Sequence, residues 1–238
     1  AWVEEALGGT ALPTLTWIPE GMPGFDATET RWDYDPAAAL QALSESGYTV
    51  EDGALIGPDT EPVEILDSFY YSETNISRHT WLAEQWQEVL GIEITLNPVD
   101  MDTLNALRSD LSTMPPIYLN GWCADYPDPQ NWLSVYWKSN SFFAQRVGYS
   151  NPALDALLDL ADATIDPADR LDLYIEAQKL LIGDVPAAFG WNNINAYLVK
   201  DRVQGEVGTP QDSLWMGEFD PLLITLDPVW EHALFLPA

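Results

Sequence analysis

Cysteine and histidine are nearly absent. The chain has one cysteine, Cys123, and two histidines, His79 and His232. A single cysteine excludes an internal disulfide and any cysteine-built metal site. The histidines lie far apart, with no metal-ligand spacing and no partnered base, so each reads as a surface or packing residue. Positive charge is scarce too: 9 Lys and Arg stand against 38 Asp and Glu, a net charge of −29. Such a surface repels phosphate backbones, which excludes nucleic acid as a partner. It draws in a cation, or the ammonium end of a ligand. Its general reading is adaptation to solvent, either high salt or an acidic exterior. No run reaches the ~18 apolar residues of a spanning helix, so direct membrane insertion is not expected. Ala1-Trp2-Val3-Glu4-Glu5 carries no secretory signal, and without an initial Met the chain is expected to start inside a longer one. There is no Gly-rich phosphate loop, Gly-x-Ser-x-Gly elbow or His-Glu-x-x-His helix. Neither a cofactor nor a metal is therefore expected.

What is present is enough for a core. Of 238 residues, 47% are hydrophobic, and aromatics abound, with 11 Trp, 10 Tyr and 7 Phe. That suits one large domain or two small ones. Residues 1 to about 30 are rich in Gly and Pro and read as an extended surface segment, whose Trp17, Ile18 and Phe25 want a partner. Asp35 and Pro36 then open a helix that Gly47 ends.

The clearest organisation follows. Residues 63–71 read as a strand and 77–90 as a helix, with Leu82, Trp86, Val89 and Leu90 on one side and Gly91 as the stop. Ile92, Ile94 and Leu96 alternate with polar residues as in a half-buried strand. Asp100 caps a helix carrying Met101, Leu104, Leu107 and Leu111, and residues 117–122 read as a third strand. Strand, helix, strand, helix, strand predicts an α/β fold with parallel pairing. Helices are expected after Asp128, from Pro152, and after Asp166-Pro167, the last with Leu171, Tyr174, Ile175, Gln178 and Leu181 on one face. From Pro186 the pattern changes to short strands and loops, with a further strand expected within 214–225.

In open α/β sheets, ligands sit where parallel strands end. Asp125 lies just past the third strand's carboxyl end, between Trp122 and Tyr126. A carboxylate with aromatic walls suits an ammonium group. A capping role for the following turn, Tyr126-Pro127-Asp128, is the other reading. Asp125 and Asp128 are poorly disposed as a glycosidase pair, because both sit in one turn rather than facing each other across a bond. Trp81 and Trp86 read as packing. Trp122, Trp132, Trp137 and Trp191 lie near loops and are candidates for a binding surface.

Four stretches in this order resemble one family. They are YDPAAALQALSESGY (34–48), WLAEQWQEVLGIEITL (81–96), GWCADYPDP (121–129) and DPADRLDLYIEAQKLL (166–181). Together they resemble the C-terminal half of the family 5 extracellular solute-binding proteins of peptide ABC transporters. The resemblance implies a periplasmic-binding-protein-like lobe, a mixed sheet flanked by helices. Residues 1–190 would form that lobe and 191–238 a return segment joining the other one. It implies a binding protein rather than an enzyme, with no catalytic residues. Its ligand would be an oligopeptide and its partners the permease subunits of an importer. The location would be extracellular or periplasmic, with a lipid anchor on the longer parent as one form. By that resemblance Asp125 receives the peptide α-ammonium, Gly121, Trp122 and Cys123 hydrogen-bond the ligand backbone as in strand addition, and Ala124 and Tyr126 complete the site. Where dipeptide-selective relatives carry an Arg, this chain reads Tyr70-Tyr71-Ser72-Glu73, which favours longer peptides. An oligosaccharide ligand, as in some relatives, and a carboxylate-dependent hydrolase are the alternative readings.

Overall fold

Asp166 and Pro167 show how local chemistry sets the helices. In the computed structural model, which describes residues 1–29, 31–194, 203–204 and 225–226, the Asp166 carboxylate accepts from the N–H groups of Ala168 and Asp169, and Pro167 opens the helix. The Asp-Pro pairs at Asp35 and Asp128 and the Asn-Pro pair at Asn151 work in the same way.

The chain opens with α1 (Trp2–Glu5) and β1 (Ala11–Pro13). Next come α2 (Pro36–Glu45), β2 (Thr49–Glu51), β3 (Ala54–Ile56), β4 (Glu64–Tyr70), α3 (Glu73–Leu90), β5 (Glu93–Val99) and α4 (Met101–Leu107). Three short helices, α5 (Pro129–Trp132), α6 (Ser134–Trp137) and α7 (Phe142–Arg146), lead to the longer α8 (Pro152–Ala163) and α9 (Pro167–Asp184). β6 (Trp191–Asn193), β7 (Val203–Gln204) and β8 (Thr225–Leu226) follow. Of the strand expected within 214–225, residues 214–224 lie outside the described residues.

The β4-α3-β5 unit positions the site. Helix α3 starts four residues before the expected Ser77, because the Ser72 hydroxyl accepts from the Asn75 N–H at 3.1 Å. It stops at Gly91, whose φ is 70°. A Cβ there would lie 2.8 Å from the Gly53 carbonyl oxygen, so conformation and space both demand glycine. Strands β4 and β5 pair in parallel, Glu64 opposite Glu93 through Tyr70 opposite Val99.

The third strand, expected over 117–122, is a single parallel bridge between Ile117 and Asp67. Pro115 and Pro116 precede it and have no N–H to extend a ladder. The α/β class stands, but the sheet is divided into pairs. Among the described residues β1–β6, β2–β3 and β7–β8 are antiparallel pairs, and β4–β5 is a parallel one.

The core lies around α5, α6, α8 and α9. Two expectations are corrected here. Residues 1–29 are not extended throughout, for they contain α1 and β1, while the partner wanted by Trp17, Ile18 and Phe25 is the core, in which Ile18 is fully buried. Trp17 packs against Trp132, Tyr136, Trp137 and Phe189 with ring centroids 4.7–5.6 Å apart. Trp132 and Trp137 are core residues rather than binding surface, being 7% and 2% exposed.

Gln178, fully buried on α9, ties the N-terminal segment down. Its Oε1 accepts from the Ile18 N–H at 2.8 Å, and its Nε2 donates to the Gly24 carbonyl at 3.0 Å. Gln178→Met keeps the shape but orphans both backbone groups. At about 1–3 kcal/mol for each, urea unfolding should show a loss of roughly 2–4 kcal/mol.

Candidate ligand-binding site

The parallel bridge fixes where the chain emerges. Ile117 runs beside Asp67 in the direction of β4, so residues just past Ile117 leave at the edge where Tyr70 and Val99 end their strands. Tyr70, Tyr71 and Leu119 are exposed. Residues 118–124 join no ladder among the described residues. The backbone expected to offer a strand edge is therefore an irregular run, and this corrects the premise of a strand through Gly121, Trp122 and Cys123.

That run is held by a residue the sequence reading passed over. Asn131, on α5, is 1% exposed. Its Oδ1 accepts from the Trp122 indole N–H at 2.9 Å and from the Asp125 N–H at 3.1 Å. Its Nδ2 donates to Asp125 Oδ2 at 3.0 Å. One buried amide thus fixes the indole, the backbone and the carboxylate of the expected site. Asp125 is exposed, and among the described residues its Oδ1 takes no hydrogen bond. Trp122 is half-buried and stands edge-on to Tyr136 and Phe143, at 5.3 and 4.8 Å. Gly121 and Cys123 are exposed, and the Cys123 thiol is free. Ala124 is half-buried, and the exposed Tyr126 donates from its hydroxyl to Gln130. The structure therefore gathers Trp122 and Asp125 on Asn131, while the Tyr126 hydroxyl turns to Gln130 of α5. A concavity of about 370 Å³ between α8 and α9, lined by Leu160, Thr164 and Asp169 among others, includes none of these residues.

Asp128 has a different task. It caps α5 through the Gln130 N–H at 2.8 Å, and both its oxygens accept from Arg170 at 2.8 Å. Arg170 also donates to the Tyr174 hydroxyl at 3.1 Å, and Tyr174 donates to Asp162 at 2.5 Å. The Arg-x-x-x-Tyr pattern of α9 thus anchors the turn after Asp125. Burial pushes the Asp128 pKa up, but the Arg170 and Gln130 hydrogen bonds and the Arg170 charge outweigh it, and the net shift is downward. The stability this contributes is present above the unfolded-state value, near 3.9, and is lost as pH falls through the folded one. Asp128→Asn should therefore lower stability at pH 7, and the difference from wild type should vanish towards pH 2. Chemical denaturation across that range checks it.

His79 is the packing histidine expected of it, with an unexpected partner. It is buried, its Nδ1 lies 2.6 Å from buried Asp67 Oδ2, and its ring stacks on Phe69 at 3.8 Å. The pair fastens α3 to β4, the strand that carries the Ile117 bridge.

The model for bacterial extracellular solute-binding proteins, family 5 Middle, matches residues 1–144. The periplasmic oligopeptide-binding protein OppA of Escherichia coli (strain K12) is 24% identical over 204 residues, covering 83% of this chain and 35% of that protein. The periplasmic murein peptide-binding protein MppA of the same organism is 23% identical over 210 residues, covering 88% of this chain and 38% of that one. The chain spans little more than a third of the length of these relatives. The crystal structure of Haemophilus influenzae OppA in complex with RPPGFSPFR matches with a TM-score of 0.71 at 21% identity, covering 94% of this chain and 42% of that one. The Escherichia coli murein tripeptide-binding protein MppA matches with a TM-score of 0.70 at 22% identity, covering 86% and 38%. At such identities the structural likeness carries the fold, that of a periplasmic binding protein. Matched by the family model over more than half its length, the chain belongs to the bacterial extracellular solute-binding proteins, family 5.

Proposed function

We propose that the chain is the peptide-recognising lobe of an ABC-importer binding protein. Asp125 receives the α-ammonium of an oligopeptide. Gly121, Trp122 and Cys123 meet its backbone, and Ala124 and Tyr126 border it. The observation that carries this reading is the Asn131 clamp. It holds one Asp125 oxygen and the Asp125 N–H while leaving the other oxygen to solvent, which is the preorganisation an ammonium site needs. The acidic surface adds long-range attraction for a cationic group.

The function is binding rather than catalysis, as the family membership supports. Asp128, the second acid that a hydrolase would use, is committed to Arg170 and to its cap. An oligosaccharide ligand loses support because Trp132 and Trp137 are buried and cannot stack on sugars. In this reading residues 1–190 form the lobe and 191–238 return towards a second one. The protein works outside the cytoplasm, lipid-anchored in one form, and delivers peptide to permease subunits.

Calorimetric titration with alanine tri- to hexapeptides, their amino termini free or acetylated, tests it. A charge-assisted hydrogen bond contributes about 1.5–3 kcal/mol, so acetylation should weaken binding roughly 10- to 100-fold. Equal affinities would remove Asp125 from the role.

A further inference from the structure

Asn120-Gly121 is the one Asn-Gly pair in the sequence, and it lies inside the run that leads to Asp125. An asparagine side chain and the next backbone nitrogen are spaced to close a five-membered ring. In folded proteins three features hold that reaction back: a side chain on the next residue, a hydrogen bond that occupies its N–H, and a ladder or helix that fixes the backbone. None of them is present at Gly121. It has no side chain, and a Cβ there would meet no atom within 4 Å. Its N–H donates no hydrogen bond among the described residues. Residues 118–124 join no ladder among them, and Asn120 and Gly121 are both exposed.

Asn140 and Asn193 show the contrast. Both are exposed as well. However, the N–H after Asn140, that of Ser141, is spent on the Lys138 carbonyl at 2.7 Å. The N–H after Asn193, that of Ile194, is spent on the Thr10 carbonyl at 3.0 Å.

We propose that Asn120-Gly121 is a self-modification site, which converts with age and remodels the run carrying Trp122 and Asp125. The Gly121 nitrogen loses its proton and attacks Asn120 Cγ. A new C–N bond forms, the Cγ–Nδ2 bond breaks, and Nδ2 leaves as ammonia with the proton that Gly121 gave up. Water then opens the succinimide, and nothing is oxidised or reduced. Attack at Cγ gives aspartate. Attack at the main-chain carbonyl gives isoaspartate, in which the chain runs through Cγ and is longer by one backbone atom.

Both products change the site. Each removes the Nδ2 donor that Asn120 holds 2.7 Å from the Tyr136 hydroxyl, and each adds a negative charge. Burial pushes the Tyr136 pKa up to about 12, so the phenol keeps its proton at pH 7 and turns from acceptor to donor. The Tyr136 ring stands edge-on to Trp122, whose indole Asn131 holds. The extra atom of isoaspartate falls between the Ile117 bridge and the Asn131 bond to the Asp125 N–H, which pin the run at both ends. The run must therefore bulge, and Trp122 moves with it.

The test holds the purified chain at pH 7, 8 and 9 and 37 °C for several weeks and maps its peptides by mass spectrometry. Residue 120 should exchange its NH2 for OH, chiefly as isoaspartate, which isoaspartate-specific enzymatic methylation detects. The attacking species is the deprotonated amide, so the rate should rise roughly tenfold per pH unit. It should stay within roughly tenfold of the rate in a synthetic peptide of residues 119–125, because no fold contact occupies the N–H. G121A should slow it roughly tenfold or more, and N120Q should not convert. The Trp122 indole N–H resonance should shift as the wild type ages and stay in place as N120Q ages. If residue 120 remains asparagine in the folded chain while the peptide converts, the proposal is overturned. Conversion to aspartate alone overturns the ring route, and an unmoved Trp122 resonance at full conversion overturns the remodelling. These readouts need no ligand, so they stand or fall apart from the peptide reading.

Discussion

Asn131→Leu should cost roughly 2–4 kcal/mol of stability and weaken peptide binding with it. Leucine matches the shape but offers neither acceptor nor donor. The Trp122 indole N–H, the Asp125 N–H and Asp125 Oδ2 would then all lose their partner at once. Each orphaned group that stays buried costs about 1–3 kcal/mol, and exposed Asp125 can turn to water, so the sum is less than threefold. Asp125→Asn should separate from this. Its amide still accepts from Asn131, and its side chain faces solvent, so stability should move by no more than about 0.5 kcal/mol. Affinity for peptides with a free amino terminus should fall roughly 10- to 100-fold, and acetylated peptides should be indifferent. Urea unfolding and calorimetry on the two variants supply the four numbers. If Asn131→Leu binds and unfolds like wild type, the clamp has no role. If Asp125→Asn binds free-amine peptides unchanged, the ammonium assignment is gone.

The contrast between those residues also marks where sequence stops being legible. Asp125 could be picked out because an acid past an apolar run is a local feature. Asn131 could not, because its work is done on Trp122 and Asp125 across a turn that periodicity does not encode. Its one local trace is a short amide set directly before the buried Trp132 and Leu133. Gln178 was legible as a polar residue on the apolar face of α9, yet its partners, Ile18 and Gly24, lie more than 150 residues away.

The helix starts at Asp35, Asp100, Asp128 and Asp166 followed from capping, which involves neighbours only. The strand at 117–122 was over-read because its apolar residues were weighed and Pro115-Pro116 was not. Residues 1–29 were legible in part. Trp17, Ile18 and Phe25 asked for a partner surface and have one, but nothing local says that α9, through Gln178, supplies it. Arg78, Arg108 and Arg146, which join no ion pair among the described residues, gave no signal at all, since being unpaired is a property of the whole charge distribution.

That distribution carries the largest expected effect of the surroundings. At pH 7, raising KCl from 0.1 to 1 M should raise the melting temperature by on the order of 10 °C. The 29 excess negative charges repel one another across a globule of about 23 Å radius. The screening length falls from about 10 to 3 Å over that range, and the smeared self-energy falls with it, by on the order of 10 kcal/mol. The unfolded chain spreads its charges and shares most of that relief, so ~3 kcal/mol remains for the folded state. At roughly 2–4 °C per kcal/mol for a chain of this size, the shift follows. The cause can be isolated by pH. The sequence pI is about 4.1, so near that pH the net charge and its self-repulsion vanish. Calorimetric scans should then show the salt dependence flattened at pH 4.1 and steep at pH 7. A slope that is equal at both pH values would assign the effect to salting-out of apolar surface rather than to charge. Screening should also slow the encounter of cationic peptides with Asp125. Salt that stabilises the fold should thus lower the association rate, two opposite trends from one surface charge.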